Sequence, residues 1–143
     1  MIEYSVGVKF MIVAQSDIQL FRSIDEWNQW LTKNPDAIQV WLKITKKSSQ
    51  LQSIKYDDAV ITGIAHGWID GIAKTFDADY YIQRFSPRRP AGNWTDLNCQ
   101  RAIDLIKSKK MTDKGVAAIK NGIQHQKISN VELIELVNGA KYV

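Results

Sequence analysis

Arginine, aspartate and tryptophan residues recur in the middle of this 143-residue chain, and these residue types suit the binding of an anion. Arg88 and Arg89 are adjacent, and the planar fork of a guanidinium group donates two hydrogen bonds at once to a phosphate or a carboxylate. Thr95 and Asp96 have the types expected at a helix N-terminus, whose free backbone N–H groups also attract anions. We therefore predict a concave anion-binding site in this part of the chain.

Aromatic and further polar side chains complete the predicted site. On an extended strand, Trp68 and Asp70 share one face, and Ile72 and Lys74 continue that face. If the next strand pairs with it, Arg84 lies opposite or diagonal to Asp70. Tryptophans would form the walls of the site and arginines its floor. The candidate ligand-binding residues are Trp41, His66, Trp68, Asp70, Arg84, Arg88, Arg89, Trp94 and Asn98.

The same residues have a structural interpretation and a catalytic one. In the structural interpretation, Asp70 pairs with Arg84 or Arg88 and fixes the register of a hairpin, while the tryptophans fill the core. In the catalytic one, His66 and Asp70 form the acid–base pair of a small-molecule hydrolase, which requires an approach of about 3 Å. A histidine at a helix C-terminus more simply favours the helix dipole, and we expect a protein without enzymatic activity.

Metal and cofactor chemistry find no support in the residue types. The chain has two histidines and one cysteine, with no spacing typical of metal ligands, and no glycine-rich phosphate loop or dinucleotide fingerprint is present. Cys99 falls on the apolar stripe of its predicted helix, as a buried hydrophobic residue would. We expect no metal and no cofactor.

Positive charge is concentrated in the second half of the chain. The segment 84–120 has nine basic and three acidic residues, a balance of +6, whereas the whole chain carries +4. Such a segment can attract phosphates, which suggests a nucleic-acid-binding module as an alternative function, with lysines along the backbone and aromatic rings stacked on bases. A solvated helix face accounts for the same charge.

The length and composition predict one α+β domain over residues 1–143, with a small, mainly antiparallel sheet of about four strands and a helical C-terminal part. Alternating apolar residues from Val6 to Ile12 predict a first strand, and Glu3 and Lys9 are unlike a signal peptide. We expect a cytoplasmic protein with no membrane span.

The elements that position the candidate site begin with a helix and a strand. Ser23 and Glu26 have the spacing of a capping box, and the helix that they open carries Trp27 and Leu31 at helical spacing before it stops at Asn34. The next strand alternates with a period of two. Its core-facing residues are predicted to be Ile38, Val40, Leu42 and Ile44, and its outward-facing residues Trp41 and Lys43.

A second helix, a hairpin and three helices follow. The second helix runs over 57–66, with Tyr56 in its buried stripe and Gly67 as a left-handed cap. Strands are predicted at 68–75 and 80–86, joined by an aspartate-rich turn. The N-caps predicted for the last three helices are Thr95, Thr112 and Ser129.

Four motifs in this order carry a resemblance to a known family. They are Gly67–Gly71, Phe85–Arg89, Asn93–Asn98 and Met111–Gly115. The chain resembles the bacteriocin-protection proteins, also called YdeI/OmpD-associated, over roughly residues 21–120. That family has a glycine-tryptophan-isoleucine-aspartate strand, a phenylalanine-threonine-proline-arginine-arginine turn, a tryptophan-serine helix start and a methionine-threonine-x-x-glycine step.

The sequence departs mildly from the family pattern. Ser86 stands where the family has threonine, and Thr95 where it has serine. The resemblance implies a stress or protection protein associated with resistance to antimicrobial peptides and with an outer-membrane porin, and it implies no reaction and no cofactor. The partner that we expect is an anionic small molecule or a protein.

Overall fold

The structure, a computed structural model, describes residues 13–139. The strand predicted from Val6 to Ile12 lies outside these residues. The described residues form four strands, five α-helices and a short 3₁₀ turn at Gln15–Asp17. In chain order the strands and helices are β1 (Ile18–Gln19), α1 (Ile24–Lys33), β2 (Val40–Thr45), α2 (Tyr56–Ala65), β3 (Trp68–Thr75), β4 (Tyr80–Pro87), α3 (Asp96–Lys107), α4 (Asp113–Gln124) and α5 (Val131–Asn138).

The four strands form one sheet in the order β1-β2-β4-β3. The short β1 runs parallel to β2, and the other pairs are antiparallel. All five helices contribute buried residues to one core with β2, β3 and β4. The predicted α+β class, with its small, mainly antiparallel sheet and helical C-terminal part, is confirmed.

Aromatic rings dominate the core where α1 meets the sheet. Trp27 is fully buried, stacks on Trp30 and meets Trp68 and Phe85 edge-on. Its indole Nε1 donates to the carbonyl oxygen of Ala59 at 3.0 Å, so α1 is tied to α2 by a satisfied buried hydrogen bond.

Helix starts follow the sequence closely. Ser23 accepts from the backbone N–H of Glu26, and the Glu26 carboxylate in turn accepts from the N–H of Arg22 at 2.8 Å. Thr95 and Thr112 cap α3 and α4 as predicted. The prediction for α5 is wrong, because the side chain that caps it belongs to Asn130 and not to Ser129.

Two predictions of burial are also wrong. Ile38 is 79% exposed, because β2 begins only at Val40 and Ile38 lies beyond its end. Tyr56 is the first residue of α2 and is exposed, since its ring turns outward and its hydroxyl reaches another side chain. Trp41 does face away from the main core, yet it is buried with Val13 and Ile82 in a second cluster.

A β-bulge interrupts the pairing of β3 with β4. Asp70 pairs with Phe85 and Ala73 with Gln83, so two residues of β3 stand opposite one residue of β4. Gln83 is buried, and its Nε2 donates to the carbonyl oxygen of Gly71 at 2.6 Å. This buried amide therefore satisfies a backbone group that the bulge leaves without a ladder partner.

The bulge overturns the predicted faces of β3. Beyond it the alternation is reversed, so Ile72 and Lys74 do not continue the face that Trp68 and Asp70 share. Arg84 alternates with Phe85, the partner of Asp70, and so lies on the opposite face of the sheet from Asp70.

Gly67 joins α2 to β3 in a left-handed conformation, as predicted, with φ at +78°. A Cβ atom there would lie 2.8 Å from the carbonyl oxygen of Lys114. The tight turn therefore requires glycine both for its backbone angle and for the close approach of α4.

Candidate functional site

Three arginines line a groove of about 350 Å³ at the end of the β3–β4 hairpin. We call it the arginine groove and define it by Arg84, Arg88, Arg89, Asp70 and Ser86. Four of the nine sequence-predicted residues thus line one groove, with Asp70 on the opposite face of the sheet from Arg84. With three cations and one carboxylate among these residues, the groove has the positive balance expected of an anion site.

Arg88 is the residue that the fold holds most firmly. Its backbone N–H donates to the carbonyl oxygen of Gly67 at 2.9 Å, and its Nη1 donates to the carbonyl oxygen of Asn93 at 3.1 Å. The guanidinium carbon lies 3.7 Å from the centre of the Trp94 ring, a cation–π contact. Trp94 therefore serves the site by fixing Arg88 and not by presenting an open aromatic wall.

The other edge of the same guanidinium group has no partner. Nε and Nη2 of Arg88 are buried and make no hydrogen bond with any described residue. Burial lowers the pKa of Arg88 to about 10, while the negative charge of Asp70 acts in the opposite direction. Nε and Nη2 form the edge with which an arginine binds both oxygens of a carboxylate or a phosphate.

Asp70 is held by a tyrosine and not by an arginine. The Tyr56 hydroxyl donates to Oδ2 of Asp70 at 2.5 Å. Burial and this acceptor raise the pKa of Tyr56 above its ordinary value, so the tyrosine keeps its proton. Asp70 forms no ion pair within residues 13–139, and the predicted pairing with Arg84 or Arg88 is not formed.

Arg84 and Arg89 complete the positive lining. Arg84 is half-buried, and its Nε donates to Oε1 of Gln39 at 2.8 Å, which orients the guanidinium group without neutralising it. Arg89 is exposed and starts the turn that Gly92 closes by donating to its carbonyl oxygen. Neither arginine has an acidic partner among the described residues.

Three predicted residues lie elsewhere. Trp41 is buried in the second cluster, where β2 turns its outward face against Val13. Trp68 is 4% exposed and belongs to the aromatic core, although it also borders a smaller cleft of about 210 Å³ that Arg88 lines as well. Asn98 accepts from Nη1 of Arg101, which in its turn reaches Asp57.

His66 lies at a second, larger groove of about 430 Å³ between α1, α2 and the turn before α4. We call it the histidine groove and define it by His66, Thr62, Asp58, Asp25 and the apolar wall that surrounds them. That wall consists of Ile24, Ile61, Ala65 and Leu105. No residue lines both this groove and the arginine groove.

His66 is 8% exposed, and its Nε2 lies 2.7 Å from Oδ1 of Asn28. Burial lowers the pKa of His66, and the nearby Lys114 lowers it further, so the ring is neutral near pH 7. His66 and Asp70 each bond to another residue, so no hydrogen bond joins the pair that a hydrolase would need.

Sequence reasoning missed the histidine groove. Thr62 was the available signal, because it is the one hydroxyl residue within the apolar run from Ala59 to Ala65. Asp58 lies in the first turn of α2, where the helix dipole favours an acid, and this explains its position but not its side chain in the groove. Residues from α1 could not be assigned, since α1 and α2 are distant in sequence and meet only in the folded chain.

Two classes of site are not found in the described part of the chain. Residues 13–139 contain no group of three or more histidine, cysteine or acidic residues arranged to hold a metal ion. Nor is any helix within them long and apolar enough to cross a membrane.

Comparison with the curated proteins gave no match, and comparison with the solved structures gave none. A family model does match, over residues 19–118, and this stretch contains every residue that lines either groove. The chain therefore belongs to the family described as Domain of unknown function (DUF8412).

Proposed function

We propose that this protein recognises an anionic ligand, or an anionic group of a partner, in the arginine groove and does not turn it over. The observation that carries the proposal is the unpartnered edge of Arg88, formed by Nε and Nη2. A buried donor without an acceptor costs about 1–3 kcal/mol, and more when it is charged. A carboxylate or phosphate on this edge would supply both missing acceptors at once.

The surroundings of Arg88 favour a ligand with at least two oxygens. Arg89 lines the groove and is exposed, and Ser86 also lines it and carries a hydroxyl. Since Nε and Nη2 are shielded from solvent, an anion reaches them only if a neighbouring side chain moves. Binding is therefore expected to change the environment of Trp94, which lies against the guanidinium group.

The resemblance to the bacteriocin-protection proteins gives this binding a biological setting. A protection protein of that kind acts by recognition, which agrees with a site that has cations and an aromatic ring but no hydrogen bond between His66 and Asp70. A cytoplasmic location belongs to the same proposal.

The nucleic-acid alternative receives less support from the site. Trp27, Trp41 and Trp68 are buried, and Arg88 covers one face of Trp94, so these rings offer little surface on which bases could stack. Lys107 of the basic segment is already paired with Glu132. Short single-stranded DNA is therefore a comparison ligand in the experiment below and not the proposed ligand.

The experiment is a titration with inorganic phosphate, citrate, a sugar phosphate and short single-stranded DNA, monitored by tryptophan fluorescence and by calorimetry. Arg89→Gln should weaken binding by at least about tenfold, since a charge-assisted hydrogen bond contributes about 1.5–3 kcal/mol. Its melting temperature should stay unchanged, because Arg89 is exposed and its side chain bonds to no described residue. Arg88→Gln should abolish the fluorescence change.

Arg22→Gln is the matched control, because Arg22 is exposed on α1's N-terminal side and the change removes the same charge far from the groove. Equal weakening by Arg22→Gln and Arg89→Gln would mean that the anion responds to net charge, and the proposal would be wrong. It would also be wrong if only DNA bound, with the steep salt dependence typical of phosphate backbones.

A further inference from the structure

The histidine groove contains polar atoms without partners that the anion site does not use. We propose that this groove binds a small organic cation, an amine that carries an apolar body. The proposal does not rest on the anion site, since the two grooves share no lining residue. Four kinds of atom in the groove point to this ligand: a hydroxyl, an imidazole nitrogen, two carboxylates and an apolar wall.

Thr62 is the first of these. It is 6% exposed in the middle of α2, and its hydroxyl makes no hydrogen bond with any described residue. A threonine in a helix commonly bonds back to the carbonyl oxygen four residues earlier, as Thr32 does to Asn28 at 2.9 Å. Thr62 lines the groove instead, so its hydroxyl is left for a ligand there.

His66 adds an acceptor one helical turn further on. With Oδ1 of Asn28 as the acceptor of the 2.7 Å hydrogen bond, Nε2 of His66 carries the proton. Nδ1 of the neutral ring then holds a lone pair, and it bonds to no described residue. A ligand that donates a hydrogen bond fits this nitrogen, whereas an anion does not.

Two carboxylates set the sign of the charge. Asp25 and Asp58 both line the groove, and neither has an ion pair within residues 13–139. Lys110 lines it too but is exposed, so the three ionised side chains leave a balance of −1. An ammonium or guanidinium group is the ligand group that two carboxylates and an unprotonated imidazole nitrogen would bind.

The apolar wall favours a cation that carries an apolar group over an inorganic cation. Ile24 is an apolar residue in the first turn of α1, and it is 48% exposed. It lines the groove together with Ile61 and Leu105. Covering this surface stabilises a complex in proportion to the apolar area removed from water. The volume of about 430 Å³ is within the range of small-molecule sites.

The experiment is calorimetric titration of the full chain with agmatine, tyramine and phenethylamine, and with phenylacetate as the oppositely charged counterpart of the last. The amines should bind and phenylacetate should not. Asp58→Asn should weaken amine binding by at least about tenfold. Asp57→Asn is the matched control, since Asp57 is next in sequence but faces Arg101 outside the groove, and it should leave the affinity unchanged.

A second pair of variants separates binding from folding. Thr62→Val should lower the affinity for the amine by about threefold to tenfold and leave the melting temperature unchanged, because no hydrogen bond within the described chain is lost. Thr95→Val should lower the melting temperature and leave the affinity for the amine unchanged, since the Thr95 hydroxyl accepts from the backbone N–H of Asn98 at 3.1 Å and caps α3 outside the groove.

Two outcomes would overturn the proposal. One is that none of the three amines binds more tightly than about 10 mM, which corresponds to less than 3 kcal/mol of binding free energy. The other is that phenylacetate binds as well as phenethylamine, or that Asp57→Asn weakens binding as much as Asp58→Asn. Either result leaves the anion proposal untouched, because its variants and probes are different.

Discussion

The two grooves of this protein have opposite hydrogen-bonding deficits. In the arginine groove, Nε and Nη2 of Arg88 are donors without acceptors, and the charge balance is positive. In the histidine groove, Nδ1 of His66 is an acceptor without a donor, the Thr62 hydroxyl has no partner among the described residues, and the balance of the ionised lining side chains is negative. Under the two proposals, an anion and an amine would bind at two separate places.

The contrast with the aromatic core shows why these deficits matter. Trp27 is also buried, yet its one polar atom is bonded to Ala59 at 3.0 Å. Buried polar groups are usually satisfied in this way, so the exceptions are the informative ones. Nε and Nη2 of Arg88 are such exceptions among the described residues, and this separates Arg88 from a residue that only fills the core.

Gly67 connects the two grooves, and of the changes considered its replacement should lower the free energy of unfolding most. It follows His66, and its carbonyl oxygen accepts from the backbone of Arg88 at 2.9 Å. Gly67→Ala should lower the free energy of unfolding by about 2–4 kcal/mol, since alanine is strained at a positive φ and its Cβ would approach Lys114. Urea denaturation measures this.

Gly139→Ala is the control for that change, because Gly139 has φ of −71° and accepts alanine without strain. If Gly67→Ala costs no more than Gly139→Ala, the turn is not rigid. The turn at Gly67 would then not fix His66 and Arg88 relative to each other, and the two grooves would have no structural connection.

Arg88→Met tests the arginine groove alone and should change the free energy of unfolding less than Gly67→Ala does. Methionine keeps much of the packing against Trp94 and removes the two unpartnered donors, at the loss of the Asn93 hydrogen bond and the cation–π contact. We expect the free energy of unfolding without ligand to be unchanged or to rise by up to about 2 kcal/mol. Thermal or urea unfolding in an anion-free buffer measures it.

A loss of more than about 1 kcal/mol on Arg88→Met would contradict this expectation. The donors would then be satisfied in solution within the protein, for instance by Asp70, whose charge already acts on Arg88. The arginine groove would in that case resemble the aromatic core and not a binding site.

Much of the fold was predictable because its signals are local. The capping box at Ser23, the left-handed Gly67 and the threonine caps of α3 and α4 each depend on residues within one turn. The errors arose where one residue changed the geometry. Asn130 replaces Ser129 as a cap one position later, and the bulge after Asp70 reverses the faces of the rest of β3.

The candidate site was predictable in composition and less so in arrangement. Arg88 and Arg89 follow the hairpin in sequence, so their place in the arginine groove follows from the strand. Trp94 was expected as a wall and instead stacks on Arg88. That contact forms within the irregular loop between β4 and α3, whereas the contact of Asn28 with His66 joins α1 to the end of α2 and is set by the tertiary packing of the two helices.

The pH dependence of stability tests the histidine groove. The part of it that comes from His66 should be the smallest of the predicted changes in stability. Burial lowers the pKa of His66 in the folded protein, and Lys114 acts in the same direction, whereas the unfolded chain has the ordinary value of 6.5. Above about pH 6.5 the ring is neutral in both states and contributes nothing to the pH dependence. Below it the unfolded chain binds the proton more readily, so the folded protein loses stability as the pH falls.

His66→Gln removes this titration and keeps a group able to donate to Asn28, so it should lose less stability than the unmodified protein between about pH 7.5 and pH 5.5. His125→Gln is the control, because His125 is exposed and should not alter the difference. Asp25 and Asp58 also face the groove, and a saturating amine should enlarge the loss, because a protonated His66 would repel it. Equal pH profiles for His66→Gln and the unmodified protein would mean that the fold does not lower the pKa of His66, so that the ring takes up its proton in the folded protein as readily as in the unfolded chain.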